Sequence, residues 1–211
     1  MARRLFVKIC GVTSKDDARM AADAGADAVG LVFWPGSPRQ VDAETARGIT
    51  AALPPFVLRV GVFVNADRET LARTAEEAGL DLLQLHGDEP PEALENLPRR
   101  ALKAIRVGPG FAPAEAERYA GHAAGLLLDT RAQGAPGGTG RAFDWSLARG
   151  LRERCGFLVL AGGLTPETVG EAIRAVRPHG VDVSSGVESS PGRKDPLKVR
   201  AFVEAVRSAE P

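Results

Sequence analysis

Eight short apolar runs recur along these 211 residues at a spacing of about 25 residues, each followed by a helical pattern. The runs read as strands over 5–10, 27–33, 57–64, 80–85, 101–107, 125–128, 157–161 and 181–184. Helix starts follow them. Thr13-Ser14-Lys15-Asp16 offers a Thr cap, Asp42 opens a second helix, and Asn65 or Asp67 a third. Pro90-Pro91 opens a short helix, Pro113 a weak one, and Phe143 to Glu153 supplies a sixth. Thr165-Pro166-Glu167 and Asp195-Pro196 start the last two, each a cap followed by proline. Strands alternating with helices predict a parallel sheet. Eight such units predict that the sheet closes into a single (β/α)8 TIM barrel spanning residues 1–211, because an open sheet of five or six strands leaves units over.

Lys plus Arg and Asp plus Glu both number 27, so the net charge is near zero. A general nucleic-acid or membrane-surface binder needs an excess of positive charge, and both classes are excluded as partners. Two cysteines, Cys10 and Cys155, cannot make a disulfide framework. No charged-then-apolar leader opens the chain and no apolar run is long enough for a bilayer, so the expectation is a soluble cytoplasmic protein with reduced thiols.

In such a barrel every strand delivers its C-terminal end to one mouth, where catalytic groups sit. Cys10, His86, Asp129, Gly162, Gly163, Ser184 and Ser185 should therefore meet there, beneath the 34–39 and 133–140 loops. Leu160-Ala161-Gly162-Gly163 and Val183-Ser184-Ser185-Gly186 follow the last two strands, a recurring place for phosphate in barrels. Their glycines either bring N–H groups to an anion or merely make tight turns. Asp129 ends a run of leucines and reads as a general acid or base, or as a loop cap. Cys10 reads as a structural thiol or as a base. A thiol and a carboxyl facing one cavity suit an isomerase that moves a proton without metal or organic cofactor. Arg39, in a rigid Ser-Pro-Arg loop, is a fork for a carboxylate or phosphate, or a surface charge. His86 shares a strand face with Gln84 and reads as a hydrogen-bonding group, with no second ligand at metal spacing. Trp34 and Trp145 read as packing residues. Lys8 and Asp182 both point inward on strands that become neighbours on closure, and they are expected to pair.

Lys8-Ile9-Cys10-Gly11, Ser37-Pro38-Arg39, Leu85-His86-Gly87, Leu128-Asp129-Thr130, Gly137-Gly138-Thr139-Gly140 with Phe143-Asp144-Trp145, Ala161-Gly162-Gly163-Leu164 and the run Gly180 to Glu188 carry a resemblance. In that order they resemble the phosphoribosylanthranilate isomerases of tryptophan biosynthesis. The resemblance implies an Amadori rearrangement of N-(5′-phosphoribosyl)anthranilate, a phosphorylated aminosugar. Asp129 matches the general acid and Cys10 the general base. Arg39 matches the group that holds the anthranilate end, and the site includes His86. Gly162, Gly163, Ser184, Ser185 and Gly186 match the phosphate cradle, and the loop Gly134–Gly140 would close over the site. No metal or cofactor is implied. The family includes monomers, dimers and fusions, so a homodimer is compatible with the sequence. The histidine-pathway isomerase performs the same chemistry but carries aspartates in both roles. A non-catalytic phosphosugar-binding barrel would not need both Cys10 and Asp129.

Overall fold

A computed structural model of the chain describes residues 4–130 and 144–209. Eight strands form one closed barrel: β1 (Phe6–Cys10), β2 (Ala28–Val32), β3 (Leu58–Phe63), β4 (Leu82–Leu85), β5 (Ala101–Val107), β6 (Gly125–Thr130), β7 (Leu158–Leu160) and β8 (Gly180–Val183). Each pairs in parallel with the next, and β8 pairs with β1 to complete the ring. Seven α-helices lie among the described residues: α1 (Lys15–Asp23), α2 (Ala43–Thr50), α3 (Arg68–Glu77), α4 (Pro113–Glu117), α5 (Leu151–Arg154), α6 (Val169–Val176) and α7 (Pro196–Ser208).

The periodicity of two places alternate strand residues inside and outside. Val7, Ile9, Leu83, Leu85, Leu126, Leu128, Val181 and Val183 face outward into the main apolar core, where they meet Ala18, Leu71, Ile173 and Phe202 from the helices. Each fully buried side chain of this size contributes roughly 1.5–3 kcal/mol. Ala104, Leu127, Val159 and Ala161 form a smaller, separate cluster. The remaining inner positions are partly polar, and Lys8, Gln84 and Asp182 are all buried.

Several local expectations are corrected. Ser14, not Thr13, caps α1 by accepting from Asp17 N–H, while the Thr13 hydroxyl donates to the Gly192 carbonyl. Asp67 caps α3, and Asn65 sits at φ 51° in the left-handed region. Pro91–Leu94 is a single 3₁₀ turn. The helix expected over Phe143–Glu153 is interrupted: Trp145–Ala148 is 3₁₀, and Gly150 at φ 80° breaks the path before α5. Phe143 itself lies outside the described residues, as does the loop Gly134–Gly140. Thr165 does not cap α6. Its N–H donates to the Thr168 hydroxyl in a preceding turn, so the helix starts at Val169. Asp195 caps α7 as expected, accepting from Leu197 and Lys198 N–H. Between β8 and α7 stands an unexpected antiparallel hairpin, β9 (Glu188–Ser190) and β10 (Arg193–Lys194).

The seam that closes the barrel puts Lys8 directly opposite Asp182. The expected pair forms: Lys8 Nζ donates to Asp182 Oδ1 at 2.9 Å, with both side chains buried. Burial works against the Lys8 charge, but Asp182 and Cys10 outweigh it and raise the lysine pKa. Asp182→Ala should strand that ammonium and cost about 3–5 kcal/mol in urea unfolding, whereas Lys8→Met with Asp182→Leu should recover most of the loss. An unaltered midpoint in Asp182→Ala would show that the pair contributes nothing to closure.

Candidate active site

The C-terminal ends of the strands open on a cavity of about 330 Å³. All nine residues singled out in the sequence line it: Cys10, Arg39, His86, Asp129, Gly162, Gly163, Ser184, Ser185 and Gly186. Cys10 ends β1 and Asp129 lies near the end of β6, so they approach from separate parts of the ring. Trp34, read as packing, lines the cavity too. Among the described residues, no group of three or more His, Cys, Asp or Glu comes together as a metal site.

On one side the loops after β7 and β8 converge. Gly186 approaches the Leu164 carbonyl so closely that any side chain at 186 would overlap it. Glycine at 186 is therefore the condition for the two loops to meet, and not simply a flexible spacer. The Ser37-Pro38-Arg39 loop places the Arg39 side chain beside the loop after β8, since a Cβ on Gly11 would meet both Arg39 Cδ and Ser184 Oγ, and the Ser37 hydroxyl accepts from the Arg39 N–H.

The chain matches the family model described as N-(5′-phosphoribosyl)anthranilate isomerase over residues 7–205. The N-(5′-phosphoribosyl)anthranilate isomerase of Pseudomonas aeruginosa (strain LESB58) is 57% identical over 203 residues, covering 96% of this chain and 95% of the relative. The phosphoribosyl anthranilate isomerase structure from Thermotoga maritima superposes with a TM-score of 0.91 at 44% identity, covering 97% and 99% of the two chains. That enzyme is described as dimeric. A further isomerase structure holds reduced 1-(o-carboxyphenylamino)-1-deoxyribulose 5-phosphate, with a TM-score of 0.87 at 43% identity and the same coverage. The chain belongs to the N-(5′-phosphoribosyl)anthranilate isomerase family.

The isomerase converts N-(5′-phosphoribosyl)anthranilate into 1-(o-carboxyphenylamino)-1-deoxyribulose 5-phosphate in tryptophan biosynthesis. Its thiol and carboxyl sit in different surroundings. Burial is the largest influence on Cys10 and pushes the thiol above its usual range. The Lys8 charge pulls the other way and Lys194 adds to that pull, while Asp182 opposes both. Asp129 accepts from the Thr130 N–H at 2.8 Å through Oδ1. Its Oδ2 lies 3.1 Å from His86 Nε2, a short contact too bent to count as a hydrogen bond. Gln84 Nε2 lies 3.2 Å from His86 Nδ1, so the Gln84 amide orients the ring. Gln84 Oε1 and His86 Nε2 are buried, lack a protein hydrogen-bond partner and belong to residues that line the cavity. They are ready acceptors or donors for sugar hydroxyls.

Five further residues contribute. Gln84 was noticed only as a neighbour of His86, although its place on an inward face was the available signal. Glu89 and Lys103 pair at 2.9 Å beneath the loop after β4, where Glu89 also accepts from the Asn65 and Gly87 N–H groups. This cross-brace fixes the segment that carries His86. Its signal was weak, because Lys103 faces outward among apolar residues. Glu188 and Lys194 were hidden in a hairpin that no periodicity announced.

A Cys155→Ser background isolates the Cys10 thiol for titration by thiolate absorbance. Cys10 should titrate above the usual thiol range. Adding Lys8→Met with Asp182→Asn should move it still higher, because loss of a nearby cation disfavours the thiolate. A downward movement, or none, would show that Lys8 does not bear on the thiol.

Proposed function

We propose that the two proton transfers of the rearrangement fall to Asp129 and Cys10. The observation that carries this is their placement: both line one cavity from separate strands, together with the glycine loops and Arg39. Asp129, as the carboxylic acid, gives its proton to the furanose ring oxygen. The C1′–O bond breaks and the anilinic nitrogen completes a protonated Schiff base. Cys10, as the thiolate, takes the proton from C2′, and the electron pair of that C–H bond neutralises the imine to give an enolamine. The enol hydroxyl then releases a proton as C1′ gains one, which yields the ketone. A positioned acid or base contributes about 10²–10⁴-fold.

The substrate is anionic at both ends, with an aryl carboxylate and a phosphate. Arg39 takes the carboxylate through guanidinium N–H groups. The N–H groups and hydroxyls near Gly162, Gly163, Ser184, Ser185 and Gly186 take the phosphate. His86 and Gln84 face the sugar between them. The analogue bound by the related isomerase carries the same two anionic ends, which supports this orientation. The chain acts as one barrel domain over 1–211, without cofactor. No helix among the described residues is long and apolar enough to cross a membrane, and a biosynthetic role supports the cytoplasm as its place. The dimeric relative from Thermotoga maritima supports a homodimer, which light scattering should report as twice the chain mass.

Freshly made phosphoribosylanthranilate, without metal or nucleotide, should lose its anthranilate fluorescence on addition of the protein. Cys10→Ser and Asp129→Asn should each lower kcat by about 10²–10⁴-fold with KM little changed. Turnover that survives loss of Cys10 would move the base elsewhere, with His86 the first candidate.

A further inference from the structure

Arg39 is not a free fork. Its Nε donates to Glu188 Oε1 at 2.8 Å and its Nη2 to Glu188 Oε2 at 2.7 Å. The Glu188 side chain is 5% exposed. Lys194, fully buried, donates from Nζ to the same Oε1 at 2.8 Å and to the Ser184 carbonyl at 3.2 Å. Glu188 opens β9 and Lys194 ends β10, and the two stand opposite each other in the hairpin. The Arg39 side chain also lies across Gly11, where any Cβ would collide with its Cδ. The guanidinium is thus gripped along its Nε–Nη2 edge, and only its remaining donors are left for a ligand.

The charges add up in a telling way. With all three groups ionised, Arg39 and Lys194 carry two positive charges and Glu188 one negative. These three groups by themselves sum to one positive charge at the cavity wall, and the Cys10 sulfur, when ionised, faces the same two cations. Burial opposes ionisation of Glu188, yet Arg39 and Lys194 hold its carboxyl below the usual carboxylate range.

We propose that Glu188, itself held by Lys194, is the positioning residue that aims Arg39 at the aryl carboxylate of the substrate and so makes the site selective for carboxylate-bearing aminosugar phosphates. This rests on the reading of Arg39 given above. Every oxygen of Glu188 accepts from a donor: Oε1 from Arg39, Lys194 and Gly192 N–H, and Oε2 from Arg39. An amide at this position must therefore turn an N–H group against a donor. With its oxygen kept on the crowded Oε1 side, the clash falls on Arg39 Nη2 and drives the fork out of place.

The test is calorimetric titration of two ligands, the reduced product analogue and the same compound lacking the aryl carboxylate. Glu188→Gln should weaken the carboxylate-bearing analogue about tenfold or more and leave the other within about twofold, because only a contact to the missing group is altered. Arg39→Met should show the same selectivity. The double variant should be no weaker than Arg39→Met alone, since both changes remove one interaction. In turnover, Glu188→Gln should raise KM with kcat little changed. If Glu188→Gln does not fold, Glu188→Asp, shorter by one methylene, carries the same test with a smaller loss. Equal weakening of both ligands, or no weakening, in the Glu188 variants would overturn the proposal and leave Glu188 a structural brace. If Arg39→Met fails to discriminate between the ligands, the reading of Arg39 falls and the proposal falls with it. Selective loss in Arg39→Met without loss in the Glu188 variants keeps that reading and removes only the positioning role.

Discussion

The buried pair of Lys8 and Asp182 joins the architecture of this molecule to its chemistry. Taking two charges out of water costs several kcal/mol per ion, and only close, well-aligned contact offsets that. The 2.9 Å contact meets the requirement because β1 and β8 close the ring with these two residues in register. A register slip of one residue would turn one of them into the apolar layer. The pair therefore specifies how the first and last strands meet. Cys10 lies two residues beyond Lys8 on the same strand face, so the seam also supplies the cation nearest the thiol.

The same device recurs wherever a loop must hold a functional group still. Barrel strands are fixed by their ladders, while the loops at the mouth have at most a short hairpin or a single bridge. Lys103 and Glu89 brace the segment that carries His86. Lys194 and Glu188 brace the segment that carries Arg39 and reach the loop after β8. Apolar contacts of equal area would hold these loops at similar stability with less directional preference. Ion pairs with two or three hydrogen bonds admit one geometry, which is what a site for a doubly anionic sugar needs.

The proposed acid and base meet different neighbours. At Cys10 burial favours the thiol and neighbouring cations favour the thiolate. Asp129 has a backbone donor on one oxygen and His86 beside the other. On the proposed roles the two groups start in opposite proton states, and they reach one cavity on different strands.

Much of this is local information and could be read from the chain. Apolar runs of strand length, caps such as Asp42, Asp67 and Asp195, and a count of eight units determine the barrel, because strand periodicity and helix capping act over a few residues. Topology then sends Cys10, Asp129 and the glycine loops to one mouth without further assumptions. The inward faces of Lys8 and Asp182 were enough to anticipate their pairing. The mislaid helix starts at Thr13 and Thr165 show where local rules compete. Thr13 spends its hydroxyl on Gly192, far away in sequence, and the Thr165 N–H goes instead to the Thr168 hydroxyl. The hairpin of β9 and β10, the Glu188 grip on Arg39, the Glu89 brace and the Gln84 contact with His86 were decided only by the tertiary structure. Most of these join side chains delivered by different loops, or by a loop and a strand. Their distances depend on how the closed ring orients its rim, a property that no stretch of sequence carries alone.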